Sequence, residues 1–573
     1  MTATLPVYET DVLVIGGGLA ALRAALTARQ CGANVLVAVK RKLGQSGSSA
    51  NTSGGYAAAV TDLNPEDDPQ QHFADTIVGG GWVNHRRMAR ALAEEAPARL
   101  CELWEIGAQF QRHDGRYYRS PSGDHRHARV LVPVHMRGTD MTLPLRATVA
   151  AAGAQLLENT VIAELLLDDG RVIGAVGIRR DRAEGCVIRA AATVLAAGGA
   201  GRMFPVTSNP VDVTGGGYAL ALRAGAPLRD MEFIQFYPWR CIRPFRGSRV
   251  PIQPSTFVSG AKLYNSRGER FMGAYDPVRK EATTRDVAAR GIFDQIRFGL
   301  SVDGGVILDI SGVSDEQFRL ENSKVIERLE PRGIHYRDIP LIIAPEAHFM
   351  MGGVVTDEWA AAPLTGLYAC GENAGGTHGG NRLNSNAVPE TQVFGHRAGR
   401  SAAEAARGAS RNGRPDERQV QRWADRLSRV RSDTADASPE MDAILAHLQH
   451  AMELGLGIVR TADQLRVASA EADAIRDRVE SLPRDSIGDL VAALELNHLC
   501  DVAQACAASA LLRTESRAAH YRDDCPNADP GWVRTVVYGG GEARIVPLTR
   551  EPDEDRLLAP EPPPPPTPQE FVE

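Results

Sequence analysis

Three short stretches of the chain concentrate the residue types that can grip an anion. They are TTRD at 283–286, AHFMMGG at 347–353 and GGNRLNSN at 379–386, and they contribute Arg285, His348 and Arg382. A guanidinium is a permanent cation carrying five N–H donors in a fixed fork, and an imidazole adds a further donor or acceptor. Such a set suits clamping and polarising a carboxylate. The stretches lie far apart in the chain, so the fold must bring them together.

The elements able to do so begin with DVLVIGGGLAALRAALTARQCGANVLVAVKR at 11–41. It reads as an apolar strand, a glycine turn, a helix with apolar residues at helical spacing, and a second strand. In this βαβ unit Gly16 permits the tight turn, Gly18 lets the backbone approach a pyrophosphate, and Ala21 takes the third, close-packing position, with the helix N-terminus facing the phosphates. A second strand-like run, GLYACGE at 366–372, precedes another glycine-rich loop and a helical pattern. The expected fold class is therefore α/β, with a Rossmann-like binding domain assembled from residues 8–235 and 351–410. An α+β capping domain, 236–350, is inserted as a lid. Residues 411–535 are charge-rich with helical apolar spacing and predict a C-terminal helical bundle. The tail 550–573 is acidic and proline-rich, a composition that cannot build a packed core and predicts disorder.

At 573 residues and 43% hydrophobic there is chain enough for several domains, and a net charge of -7 gives no reason to expect nucleic acid. No apolar run is long enough to span a bilayer, and the N-terminus lacks the basic-then-apolar order of a signal peptide, so the expected compartment is cytoplasmic. The eight cysteines include no CxxC pair. That argues against an iron–sulfur cluster, a structural zinc or a disulfide framework in this chain, and no metal site is expected.

The order of SGSSANTSGG (46–55), TVLAAGGAG (193–201), MEFIQFYPW (231–239), TTRD, AHFMMGG, LYACGENAGGTHGGNR (367–382) and RTESRAAHYRDDCP (513–526) resembles one family over roughly residues 8–535. It is the flavoprotein family of succinate dehydrogenase, fumarate reductase, L-aspartate oxidase and adenylylsulfate reductase. The resemblance implies FAD along Gly16, Gly18 and Ala21, with Lys40 at the end of the second strand. Ser48, Ser49, Gly54, Gly55, Ala197 and Gly198 continue that site. It implies Glu372 on a ribitol or ribose hydroxyl, and backbone donors of Asn386, Ala387 and Val388 at the isoalloxazine. It also implies that His348 and Arg382 hold a substrate carboxylate while Arg285 supplies a proton opposite the flavin hydride. Arg513, Glu515, Ser516, Arg517 and His520 match an element read as a buried polar network joining bundle to flavin domain. His125, His127 and His135 are expected to lie behind the site.

Four departures qualify the resemblance. Ser48 and Ser49 stand where respiratory members carry a flavin-linking His, so FAD is expected to be non-covalent. Gly216 stands where the family has the Asp of Gly-Asp-Gly, while Val39, where many dinucleotide folds carry a ribose-binding acid, is no departure because the succinate dehydrogenase group also often lacks that acid. Phe236-Tyr237-Pro238-Trp239 replaces Phe-His-Pro-Thr, and Gln253, Pro254 and Phe257 align where the Thr-Glu-x-x-Arg element would be. The lost groups would hold a second carboxylate and relay protons, so the expected substrate is a small carboxylate-bearing enoate other than plain fumarate or succinate. Arg240, Arg243, Arg246 and Arg249 follow as a solvated face, a partner contact or a site for a larger anion. Three functions stay open: enoate reduction or its reverse, an aspartate-oxidase or adenylylsulfate-reductase type, and an electron-transfer role within a larger complex. Any iron–sulfur or ferredoxin-like electron partner must be a separate molecule.

Overall fold

The computed structural model describes residues 5–113, 115–245, 250–409, 413 and 416–548. Its largest sheet takes strands β1 (Val7–Ile15), β2 (Val35–Ala38), β3 (Gln155–Leu157), β4 (Thr160–Asp168), β5 (Arg171–Arg179) and β6 (Glu184–Leu195) in the order β3-β2-β1-β6-β5-β4. Pairing is parallel from β3 to β6 and antiparallel beyond. A short strand, Leu367–Ala369, adds to β6 in parallel. Val12, Leu13 and Val14 of β1 are fully buried in succession, as strands covered on both faces require. On one face lies helix α1 (Leu19–Gln30), and helix α2 (Gly216–Arg223) belongs to the core on the other.

A second sheet orders β7 (Ile234–Arg243), β10 (Leu341–Met350), β9 (Val306–Asp309) and β8 (Lys262–Tyr264), all antiparallel. Helix α3 (Arg285–Arg297) packs on it, and the two close a separate core around Trp239, Phe257, Phe318 and Tyr336. Helix α4 (Ala387–Gly408) returns the chain to the first sheet and crosses α1 closely. A Cβ at Gly399 would sit 2.3 Å from the Ala24 carbonyl oxygen, so only glycine admits that approach.

The C-terminal part is helical: α5 (Pro439–Leu456), α6 (Ala462–Ser481) and α7 (Ile487–Leu512). Thr461 and Ser486 cap the last two by accepting backbone N–H bonds from Gln464 and Asp489. α7 packs on α2, and the buried Arg513 that follows it donates to Glu232 at 2.6 Å and to Glu515 at 3.1 Å. No helix among the described residues is long and apolar enough to cross a membrane. The proline-rich tail, with Arg246 and Arg249, lies outside the described residues.

Candidate active site

The site grows from the first turn of the chain. Gly16 has φ +129, and a Cβ there would lie 2.1 Å from the Ala196 carbonyl oxygen. Only glycine lets β1 pass β6 so closely before α1 begins. Gly18, the N-cap of α1, has no side chain to cap the helix; Ser49 Oγ takes the Leu19 N–H from outside, and the amides of Ala20 and Ala21 that follow belong to the positively polarised end of the helix. These residues open into a cavity of about 600 Å³ that runs past Lys40, Ser48, Ser49, Gly54, Gly55, Ala197, Gly198, Glu372, Ala387 and Val388 to Arg285, His348 and Arg382.

Its walls are hydrogen-bonded across the sequence. Ser49 Oγ accepts from the Leu19 N–H at 3.1 Å, and Gly55 N–H donates to Ser385 Oγ at 3.1 Å. Ser48 Oγ donates to Asn209 Oδ1 at 3.3 Å, so both serines are tied into the wall. Glu372 accepts the Met350 N–H at 3.0 Å, and burial pushes its carboxyl up to about 7. Two expected contacts do not reach the cavity. Ala21 is fully buried beneath it, consistent with a packing position, and Asn386 turns its amide to His72 at 2.8 Å and Thr76 at 3.1 Å.

The three cationic residues converge from separate elements: Arg285 at the start of α3, His348 on β10 and Arg382 on the loop before α4. Arg285 donates to Asn384 Oδ1 at 2.6 Å and to Gln235 Oε1 at 3.2 Å. Gln235 in turn donates to Asn381 Oδ1 at 2.7 Å and to the Arg382 carbonyl at 2.8 Å, coupling the two arginines. Arg382 lies over the Phe349 ring at 4.9 Å and donates to the Leu383 carbonyl at 3.2 Å. His348 Nδ1 meets Ser208 Oγ at 2.6 Å.

Burial depresses both guanidiniums, with Asp124 acting to steady their charge. It holds His348 well below the usual histidine range, reinforced by Arg382 and Arg285. Arg285 Nε and Arg382 Nε are buried without a hydrogen-bond partner among the described residues. Two nearly dehydrated cations with unused donors beside a neutral imidazole make a strong receptor for a carboxylate.

The side of the clamp facing the lid is different. Tyr237 donates to the Ile252 carbonyl at 2.5 Å, its ring 5.2 Å from His348 and below the Arg285 guanidinium at 5.2 Å. Trp239 stacks on Phe257 with centroids 4.8 Å apart. Tyr237 and Gln253 line the cavity, whereas Trp239, Pro254 and Phe257 do not. The ladder between β7 and β10 is irregular from Tyr237 to Arg240, and such a bulge re-aims side chains. Of the following arginines, Arg240 Nε lies 3.8 Å from Glu346 and Arg243 Nε 3.2 Å from Asp303.

Sequence reasoning missed several cavity residues. Glu346 precedes His348 by two on the same strand, and period-two alternation places it on the same face. Lys324, which donates to Ser53 Oγ, lines the cavity with no sequence signal to announce it. Glu495 and His498 arrive from α7. His125 Nε2 donates to the Asn384 carbonyl at 2.7 Å, behind Arg285, while His127 pairs with Gln71 and His135 with Asp140. No group of metal-ligating side chains occurs among the described residues.

Comparison with known proteins agrees with this geometry. Residues 11–388 match a family model described as an FAD binding domain, and 445–561 one described as fumarate reductase flavoprotein C-term. The chain is 38% identical to a component of the fumarate reductase (CoM/CoB) of Methanothermobacter marburgensis, over 92% of this chain and 97% of that one. It is 34% identical to L-aspartate oxidase of Caulobacter vibrioides, over 94% and 97%. The structure superposes on E. coli quinol fumarate reductase FrdA with a TM-score of 0.85 at 28% identity, covering 97% of this chain and all of that one. This chain therefore belongs to the family of FAD-dependent oxidoreductases that includes fumarate reductase flavoproteins and L-aspartate oxidases, and it is an enzyme that binds FAD.

Proposed function

We propose that this enzyme reduces an enoate, or runs the reverse reaction, and that its substrate differs from plain fumarate and succinate. The observation that carries the reading is the contrast within one cavity between the buried pair Arg285 and Arg382 and the aromatic wall at Tyr237. FAD, when bound, supplies the hydride donor or acceptor for the carbon next to the carboxylate-bearing one. Arg382 and His348 hold the carboxylate and draw charge toward it, which strengthens as electron density moves onto the enoate. Arg285 delivers a proton to the α-carbon and recovers one from solvent; burial, which lowers its pKa, eases that transfer.

Ser48 and Ser49 support a non-covalent FAD, because neither side chain replaces the linking imidazole. The absence of paired cysteines in the sequence supports electron delivery by a separate iron–sulfur or ferredoxin-like partner. Division into a binding domain at 8–235 and 351–410, a lid at 236–350 and a helical part at 411–535 belongs to the same reading.

A second reading, fumarate itself, is favoured by Lys324. This lysine lines the same cavity and would meet a second carboxylate. An anaerobic reduced-dye assay decides between them. Monocarboxylate enoates should turn over at least about tenfold faster than fumarate, the scale of one unpaired charge at a site. Fumarate reduction faster than all of them would establish the second reading.

A further inference from the structure

Where the cavity passes Lys40, its wall is built by the C-terminal helix α7. In dinucleotide folds the end of the second strand carries an acid that accepts a ribose hydroxyl of the adenosine half. Here that strand ends in Val39, which is buried, and Lys40, which is basic. A second place for an acid, residue 216, is glycine. Both departures face the same spot. Lys40 Nζ lies 2.7 Å from Glu495 Oε1 and donates to Thr214 Oγ1 at 2.6 Å and to the Asp212 carbonyl at 3.0 Å.

Lys40 thus fixes a carboxylate where the fold would otherwise carry its own. Lys40, Asp212, Thr214, Gly216, Glu495 and His498 all line the cavity that begins at Gly16. A carboxylate offers about four lone-pair directions, and one ammonium leaves some of them for a ligand. His498 lies three residues further along α7, on the same helix face. It is 2% exposed, and its Nε2 has no hydrogen-bond partner among the described residues. Burial, with Arg223 and Lys40 nearby, keeps the ring neutral. A Cβ at position 216 would meet His498 Nδ1 at 3.5 Å, an ordinary contact, so a side chain can start there without a clash.

We propose that Glu495, held by Lys40, accepts a hydroxyl of the adenosine ribose of FAD, with His498 as a second polar contact, so that the C-terminal helical part completes the cofactor site. This inference rests on FAD binding alone and is independent of the substrate. It is tested by fluorescence titration of the full-length apoprotein with FAD and with its 2′-deoxy and 3′-deoxy adenosine-ribose analogues.

Wild type should bind at least one analogue about tenfold more weakly than FAD, as loss of a charge-assisted hydrogen bond implies. Glu495→Gln should bind FAD about tenfold more weakly and lose that discrimination. Adding Gly216→Asp to Glu495→Gln should recover most of the affinity. If Glu495→Gln yields no folded protein, Lys40→Met serves in its place, releasing the carboxylate while leaving α7 intact, and should halve or abolish the discrimination. Equal weakening of FAD and both analogues, or no weakening, overturns the proposal.

Discussion

The clamp and the lid core beside it are built on opposite principles. At the clamp, Arg285, His348 and Arg382 come from three elements, and the two arginines are nearly removed from water and keep Nε donors that no described protein group uses. Beside it, Tyr237 spends its hydroxyl on the Ile252 carbonyl, and Trp239 and Phe257 stack inside the lid's own core. A region prepared for a ligand carries unpaired charge at a cost in stability. A region prepared for the fold satisfies its own groups, and here the buried indole N–H of Trp239 is the exception.

The sharpest way to break this contrast is at the clamp. Arg285→Ala should keep bound FAD and lose turnover by about a thousandfold, the upper range for removing one group that acts in the transition state. Flavin absorbance and steady-state rates on the same preparation measure both halves of the expectation. Undiminished turnover would reduce the clamp to a structural device and favour an electron-transfer role.

In the lid core the expected loss is in stability. Trp239→Ala should lower the unfolding free energy by about 3 kcal/mol, because a stacked, dehydrated ring is removed from a packed core. Urea titration of the holoprotein reads that loss. The same variant should change the preference between fumarate and monocarboxylate enoates less than about twofold, since Trp239 does not line the cavity. A larger shift would return Trp239 to the substrate site.

The smallest expected effect is in pH. His348 titrates well below 6.5, so lowering the pH from 8 to 6 leaves the imidazole neutral, and the clamp's positive charge stays with the arginines. KM for a monocarboxylate enoate should therefore stay flat across that interval. A KM that tightens as pH falls through 6.5 would show that His348 gains a proton and that the clamp holds three charges.

Local sequence determined a good deal. The turn at Gly16 was legible because a tight strand-to-helix passage excludes any Cβ, and β1 and β2 on either side of α1 because apolar runs bounded by glycine leave few alternatives, whereas β3, β4 and β5 of the same sheet were not read from the sequence. The chemistry of Arg285, His348 and Arg382 was legible from residue type, and their convergence from the family resemblance. Other features depended on directions of side chains, which the chain order does not encode. Tyr237 and Trp239 are neighbours at strand spacing, yet an irregular ladder sends one to the cavity and the other into the lid core. Asn386, whose backbone N–H was expected at the isoalloxazine, donates that N–H to the Leu383 carbonyl at 3.2 Å, while its side-chain amide satisfies itself on His72. Glu495 lies 455 residues from Lys40, and only the docking of α7 against α2 brings the carboxylate to the end of the second strand. Sequence thus decided which turns and strands could form and which groups carry charge. The tertiary structure decided which of those groups share a cavity, because that depends on packing between segments that no local rule connects.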